Sequence, residues 1–286
     1  MEYNSMKKTI YISDLDGTLL SQNKEISNVT KNILKQLKKK GCNFSIATAR
    51  TPATVEVILK ELDIQEPIIL MNGAVLYDLK NHRYLEVEFI SQQVVKQVLM
   101  QLDYLIETSF IYTIDNNELI VHYQQLENEY KIAFYQERAK SPYKCFTQQI
   151  LKDYTKVAYF VFLDTEDRIK MIYERVKKID GIALVMYKDV YSKEGYILEI
   201  YSDRATKGNA INKLKRRGYE NVICFGDNLN DLCMFKVADE AYAVGNAMQE
   251  VKENATAVIG NNNDDSVARF IQLHYEKIKE KENGLC

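Results

Sequence analysis

Apolar residues near the N-terminus come in short unbroken runs, each ending in a polar or turn-forming cluster. Residues 9–14 predict a short buried strand. Ser27 is placed to cap a helix through residue 40, with Val29, Ile33, Leu34 and Leu37 on one face and Gly41 as its stop. Residues 43–48 predict the next strand, and residues 52–62 a helix with Pro52 in its first turn. Residues 67–71 predict a third strand, closed by the turn Asn72-Gly73. Continuously apolar strands alternating with helices predict a parallel sheet covered on both faces.

The rhythm changes near residue 82. Residues 84–89 and 105–114 predict strands, with a helix over 92–102 between them. Residues 157–163 and 182–187 predict strands flanking a helix at 167–178, while 115–156 are polar, tyrosine-rich and give no assignment. The first rhythm then resumes, with strands at 196–201 and 221–225 around a helix at 207–216 that Gly218 ends. A short helix at 230–235, strands at 241–244 and 257–259, and a closing helix at 264–279 complete the chain. The expected architecture is an α/β core built from residues 1–82 and 190–286, interrupted by a smaller α/β unit over 83–189. Hinges are expected near 80–84 and 188–196.

A chain of 286 residues, 46% hydrophobic and 27% charged, can bury one sizeable core and a smaller second one. Its net charge of −2, from 38 basic and 40 acidic side chains, argues against nucleic acid as a partner. No signal peptide and no membrane-spanning apolar run is visible, so no membrane partner and a cytoplasmic location are expected. The five cysteines form no CxxC pair, and the three histidines are scattered, which supports neither a disulfide scaffold nor a zinc site. Nothing in the pattern reports oligomeric state.

The candidate chemistry stands at strand ends. Asp14 and Asp16 follow the first strand and precede Gly17-Thr18. Alone, this acidic pair also fits an ordinary strand-to-loop junction. Thr48-Ala49-Arg50 follows the second strand, where a hydroxyl and open backbone amides suit a phosphoryl group, although taken alone a helix cap and an ordinary surface arginine account for it better. Lys207 opens a helix, against the helix dipole, so either a negative partner, a phosphate or a carboxylate, offsets it or it is a solvated lysine in a lysine-rich chain, and alone the two readings weigh about equally. Gly226-Asp227-Asn228-Leu229-Asn230-Asp231 follows the apolar run 222–225 and supplies hard oxygen ligands suited to magnesium. In an open parallel sheet, ligands bind beyond the carboxyl ends of the strands, where all four groups fall.

In that order these stretches resemble the signature of the haloacid dehalogenase-like (HAD) superfamily. Asp14 and Asp16 match its first motif, Thr48 its second, Lys207 its third, and Asp227 with Asp231 its fourth. Gly245-Asn246-Ala247 and the stretch 262–268 resemble the closing segments of the Cof-type subgroup, and the insertion resembles that subgroup's large α/β cap. The resemblance implies a Rossmann-like core and a Mg²⁺-dependent phosphatase acting on small phosphorylated metabolites, sugar phosphates first and pyridoxal or flavin phosphate esters next. It implies Asp14 as nucleophile and Asp16 as acid and base. Thr48, Ala49, Lys207 and Asn230 would face the phosphoryl group, and Asp14, Asp16 through its carbonyl, Asp227 and Asp231 would surround the cation. A phosphomutase or a non-catalytic phosphate-binding protein would share the scaffold. One departure bears on the chemistry: Ala49 stands where the family has glycine, which is harmless only if its φ is negative.

Overall fold

The computed structural model describes residues 8–188 and 195–282, so most of the expected second hinge lies outside the described residues. The elements run β1 (Thr9–Ser13), α1 (Asn28–Lys39), β2 (Asn43–Ile46), α2 (Pro52–Leu59), β3 (Ile68–Leu70), β4 (Val75–Asp78) and β5 (Arg83–Val87). They continue with α3 (Gln92–Leu102), β6 (Ser109–Asp115), β7 (Glu118–His122), α4 (Glu129–Arg138), β8 (Cys145–Thr147), β9 (Val157–Thr165), α5 (Glu166–Val176), β10 (Ile182–Lys188) and β11 (Gly195–Ser202). The last are α6 (Lys207–Arg216), β12 (Asn221–Gly226), α7 (Leu232–Phe235), β13 (Glu240–Ala243), α8 (Gln249–Glu253), β14 (Ala257–Val258) and α9 (Ser266–Glu282). They form two compact units, one from the residues up to Glu86 and from Thr206 onward, the other from Val87–Ala205.

The first unit is the expected Rossmann-like parallel sheet, in the order β14-β13-β12-β1-β2, and a bridge from Ala47 to Ile69 adds β3 beside β2. Its central strands are buried on both faces: Ile10, Ile12, Val222, Ile223, Cys224 and Phe225 are each 0% exposed, which their apolar runs require. The strand order reverses at β1, with β2 on one side and β12, from far along the chain, on the other. Such a switch point opens a crevice at the carboxyl ends of two neighbouring strands. Ser27 caps α1 by accepting from the Thr30 amide at 3.0 Å, and Gly41 takes φ +86° just past its end.

The second unit is a six-stranded sheet in the order β10-β11-β9-β6-β7-β8. Phe160, Phe162, Leu198 and Ile200 point to one face, where α3 and α5 bury them with Val95, Val98, Ile169 and Ile172. Phe110, cross-strand partner of Val161, lies on the other face and stacks on Phe134 of α4 at 5.1 Å. On that face Tyr112, Tyr159 and Tyr201 form a cross-strand ladder, with ring centroids 4.1 and 4.9 Å apart. The ladder buries all three to 3% exposure or less.

Three expectations need correction. The strand expected to resume the core at 196–201 is β11, which lies between β10 and β9 and pairs antiparallel with both. Its alternation, with Leu198 and Ile200 facing the helices, belongs to a sheet covered differently on its two faces. The strand expected over 84–89 is β5, which joins a three-stranded sheet with β3 and β4. The strand expected from residue 105 starts only at Ser109, because Asp103–Thr108 forms a tight helical turn that buries Leu105. The unassigned stretch 115–156 holds β7, α4 and β8.

Candidate active site

The carboxyl ends of β1 and β12 meet at Asp14, whose amide donates to the Phe225 carbonyl at 2.9 Å. The chain then turns tightly through Leu15–Leu19, with Gly17 at φ +77°. Glycine is required there twice over: an L side chain resists that φ, and a Cβ would stand 2.4 Å from Asp227 Oδ2. The turn is tied down by side-chain amides from the far end of the core. Asn246 Nδ2 donates to the Gly17 carbonyl at 2.7 Å, and Asn262 Nδ2 to the Leu20 carbonyl at 2.8 Å. Thr18, buried within it, donates its hydroxyl to Asp227 Oδ1 at 2.9 Å.

Beyond β12, Asp231 is 0% exposed and folds the loop around itself. Its Oδ2 accepts from the amides of Asp227 and Asn228 at 2.9 and 3.0 Å. Gly226 permits this approach, since a Cβ there would stand 2.6 Å from that of Asp231. Lys207, at the first position of α6 and 1% exposed, donates from Nζ to Asp14 Oδ1 at 2.5 Å and to Asp231 Oδ1 at 2.6 Å. The unfavourable lysine at a helix start is thus offset by two buried carboxylates.

Asp14, Asp227 and Asp231 each bring one oxygen into a group whose members all lie within 4.8 Å of one another. Three carboxylates against one ammonium leave an excess of negative charge in a place with little water. Burial, reinforced by the charges of Asp231 and Asp227, pushes Asp14 up to about 8 despite Lys207. Burial and Asp231 likewise raise Asp227, against the hydrogen bond from Thr18. Burial alone would lower Lys207, but Asp14 and Asp231 outweigh it and hold the ammonium charged. A hard divalent cation fits this donor set, because it supplies the missing positive charge to oxygen ligands only.

The remaining candidates stand differently. Asp16 lies outside the convergent trio: its exposed carboxylate accepts from Arg50 Nε at 2.7 Å and Nη2 at 2.5 Å. Thr48 is buried at the end of β2, and its Oγ1 accepts from the Arg50 amide at 3.2 Å. Ala49 is exposed and not among the residues with positive φ, so alanine costs the loop nothing. Asn230 is exposed, and its amide donates to Asn72 Oδ1 at 3.2 Å. Sequence reasoning assigned no role to Thr18 and left Arg50 as an ordinary surface arginine. The adjacency of Thr18 to Asp-x-Asp-Gly was a usable signal for the first, whereas only the fold brings Arg50 to Asp16. Among the described residues, no helix is long and apolar enough to cross a membrane.

The chain is similar to known proteins along most of its length. A 5-amino-6-(5-phospho-D-ribitylamino)uracil phosphatase of Bacillus subtilis is 29% identical over 90% of this chain and 95% of its own. A pyridoxal phosphate phosphatase of Escherichia coli is 26% identical over 94% of this chain and 99% of its own. A haloacid dehalogenase-like hydrolase of Bacteroides thetaiotaomicron superposes with a TM-score of 0.72 at 22% identity, covering 93% of this chain and 99% of that one. The sequence profile of the haloacid dehalogenase-like hydrolases matches residues 11–271, and the chain belongs to that family.

Proposed function

We propose that the protein is a Mg²⁺-dependent phosphomonoester hydrolase that works through an aspartyl-phosphate on Asp14. The observation that carries this reading is the buried Lys207 bridging Asp14 and Asp231 beside Asp227. A carboxylate in that position has a cation on one side and a metal-competent acidic group on the other, which suits attack on a phosphoryl dianion.

Asp14, Asp227, Asp231 and the Asp16 carbonyl would hold the cation, which when bound would screen the repulsion between two anions and act as a Lewis acid toward the phosphoryl group. In the first step an Asp14 oxygen forms a bond to phosphorus, the ester P–O bond breaks, and Asp16 gives a proton to the departing alkoxide. In the second, a water loses a proton to Asp16, its oxygen bonds to phosphorus, and the P–O bond to Asp14 breaks. Lys207 and Thr48 hold the non-bridging oxygens, Lys207 offsetting charge as it builds, with the Ala49 backbone and Asn230 at the rim. Asp231 also braces the loop by taking the amides of Asp227 and Asn228.

Small phosphorylated metabolites are the proposed substrates, with sugar and sugar-alcohol phosphates first. The B. subtilis and E. coli relatives are named for a phosphoribityl compound and for pyridoxal phosphate. Both are phosphate esters of a primary alcohol, a poor leaving group that needs the proton Asp16 supplies. The closing segments around Asn246 and 262–268 support a place in the Cof-type subgroup, with the inserted unit as its specificity domain; the cytoplasm is the proposed compartment. The test is free phosphate release from a panel of primary-alkyl phosphates, with and without Mg²⁺. Mg²⁺-dependent release is expected. Isomerised sugar phosphate with little free phosphate would identify a mutase instead, and tight binding with no turnover a binding protein.

A further inference from the structure

Gly17 stands between two groups that bear on the acidic cluster. Before it comes Asp16, whose carbonyl is a proposed ligand to the cation. After it comes Thr18, whose hydroxyl donates to Asp227 Oδ1 at 2.9 Å. With φ +77°, ψ −4° and no side chain, Gly17 is also the link of that turn with the most conformational freedom. Asn246 holds its peptide from outside the turn, donating from Nδ2 to the Gly17 carbonyl at 2.7 Å. We propose that Asn246 is a positioning residue for the metal-binding acids: by fixing the Gly17 peptide it keeps Thr18 on Asp227 and the Asp16 carbonyl in the set that takes the cation.

Asn246 is itself held in place. Its Oδ1 accepts from the Asn262 amide at 3.0 Å, so both ends of its side-chain amide are engaged and its orientation is set. The same stretch grips the second acid loop through its backbone. The Met248 amide donates to the Asp227 carbonyl at 2.9 Å, and the Val244 amide to the Gly226 carbonyl at 3.2 Å. Residues 244–248, which follow β13, therefore hold the loop after β1 and the loop after β12 at once. Gly17 and Asp227 need that common support, because the Gly17 backbone comes so close that a Cβ would stand 2.4 Å from Asp227 Oδ2. A small shift of the turn would push or release that carboxylate. Asn246 is exposed, so its replacement opens no cavity in the core.

The inference rests on the metal-dependent reading, and its test separates the two. Mn²⁺ is the probe, a hard cation that takes the same oxygen ligands as Mg²⁺ and whose free form is counted by electron paramagnetic resonance. Asn246→Ala should raise the Kd for Mn²⁺ about tenfold, the lower end of what removing a group that orients metal ligands costs. Asn246→Asp keeps the shape and the acceptor for the Asn262 amide and loses only the donor to Gly17. Its added negative charge would by itself favour the cation, so a raised Kd there isolates the lost donor. Asn262→Ala removes the neighbouring tie, to the Leu20 carbonyl, and should stay within about twofold of the wild type. In turnover of the fastest ester of the panel, the Asn246 variants should need more Mg²⁺ for half-maximal rate and recover most of kcat at saturation. A wild-type Kd in both Asn246 variants would overturn the inference. So would an equal loss in Asn262→Ala, which would mean general loosening of the turn. A fall in kcat that saturating Mg²⁺ does not restore would overturn it too, by placing the effect on the reacting groups. Wild-type protein that binds no Mn²⁺ refutes the metal-dependent reading itself, and this inference with it.

Discussion

At the scale of single residues, the site depends on small groups as much as on acids. Gly17→Ala places a Cβ against the Asp227 carboxylate and forces an L residue to φ +77°. A loss of about 1–3 kcal/mol is expected, with a fall in activity beyond what the lost stability explains. Urea unfolding and kcat together check it, and a fully active, fully stable variant would contradict the close-approach argument. Lys131 in α4 offers an opposite case, since its ammonium is buried without a hydrogen-bond partner. Burial lowers it to about 8, against Glu127 and Asp164, which raise it, and with Arg168, which lowers it further. Lys131→Met should therefore stabilise the protein at neutral pH by about 1–3 kcal/mol. The unfolded chain binds the proton more tightly than the folded one between pH 8 and the ordinary lysine range, so wild-type stability contributed by this group rises with pH there. The advantage of the methionine variant should shrink over the same window in chemical unfolding series. An advantage that grows with pH would reverse the argument. Neither feature was legible in the sequence: Asp-Gly reads as a common turn, and a lysine in a charged helix reads as solvated until the fold buries it.

At the scale of elements, the parallel strands were legible because burial on both faces leaves an unbroken apolar run, as in 9–14 and 221–225. The helix over 28–39 was legible from its cap as well as its stripe. Ser27 accepts from the Thr30 amide and also donates to Asp265, which accepts in turn from the Thr30 hydroxyl at 2.9 Å. Ser27→Ala should cost about 1 kcal/mol, read as a lowered urea midpoint at unchanged slope. No loss would mean that the Asp265 carboxylate alone caps the helix. Residues 115–156 resisted reading for the opposite reason. Their strands are short, Cys145–Thr147 having three residues, and α4 has a weak apolar stripe, because much of its packing runs through Phe134, Tyr135 and the aliphatic stem of a lysine. The strand β11 was found but attached to the wrong sheet, since periodicity reports which faces are buried and not which neighbour a strand takes.

At the scale of the whole molecule, the acids of the candidate site were legible in sequence because each follows an apolar run that forms a parallel strand. Their electrostatics were not, since these depend on Asp231 and Lys207 being drawn into one dry cluster from helices and loops far apart in sequence. The unit Val87–Ala205 is one continuous segment with its own sheet and its own core around Phe160, Phe162, Val95 and Ile172. Expressed alone, it should fold, giving mixed helix and strand circular dichroism and one cooperative urea transition. A non-cooperative transition would show that the core unit is needed to fold it. The central claim is that phosphate passes through Asp14. The most direct measurement is acid quenching during turnover of a primary-alkyl phosphate with Mg²⁺, followed by mass spectrometry of the peptide that contains Asp14. A phosphorylated Asp14 peptide in the wild type is expected, and neither that peptide nor phosphate release in Asp14→Asn. Phosphate release that persists in Asp14→Asn, with no phosphopeptide in the wild type, would contradict the account.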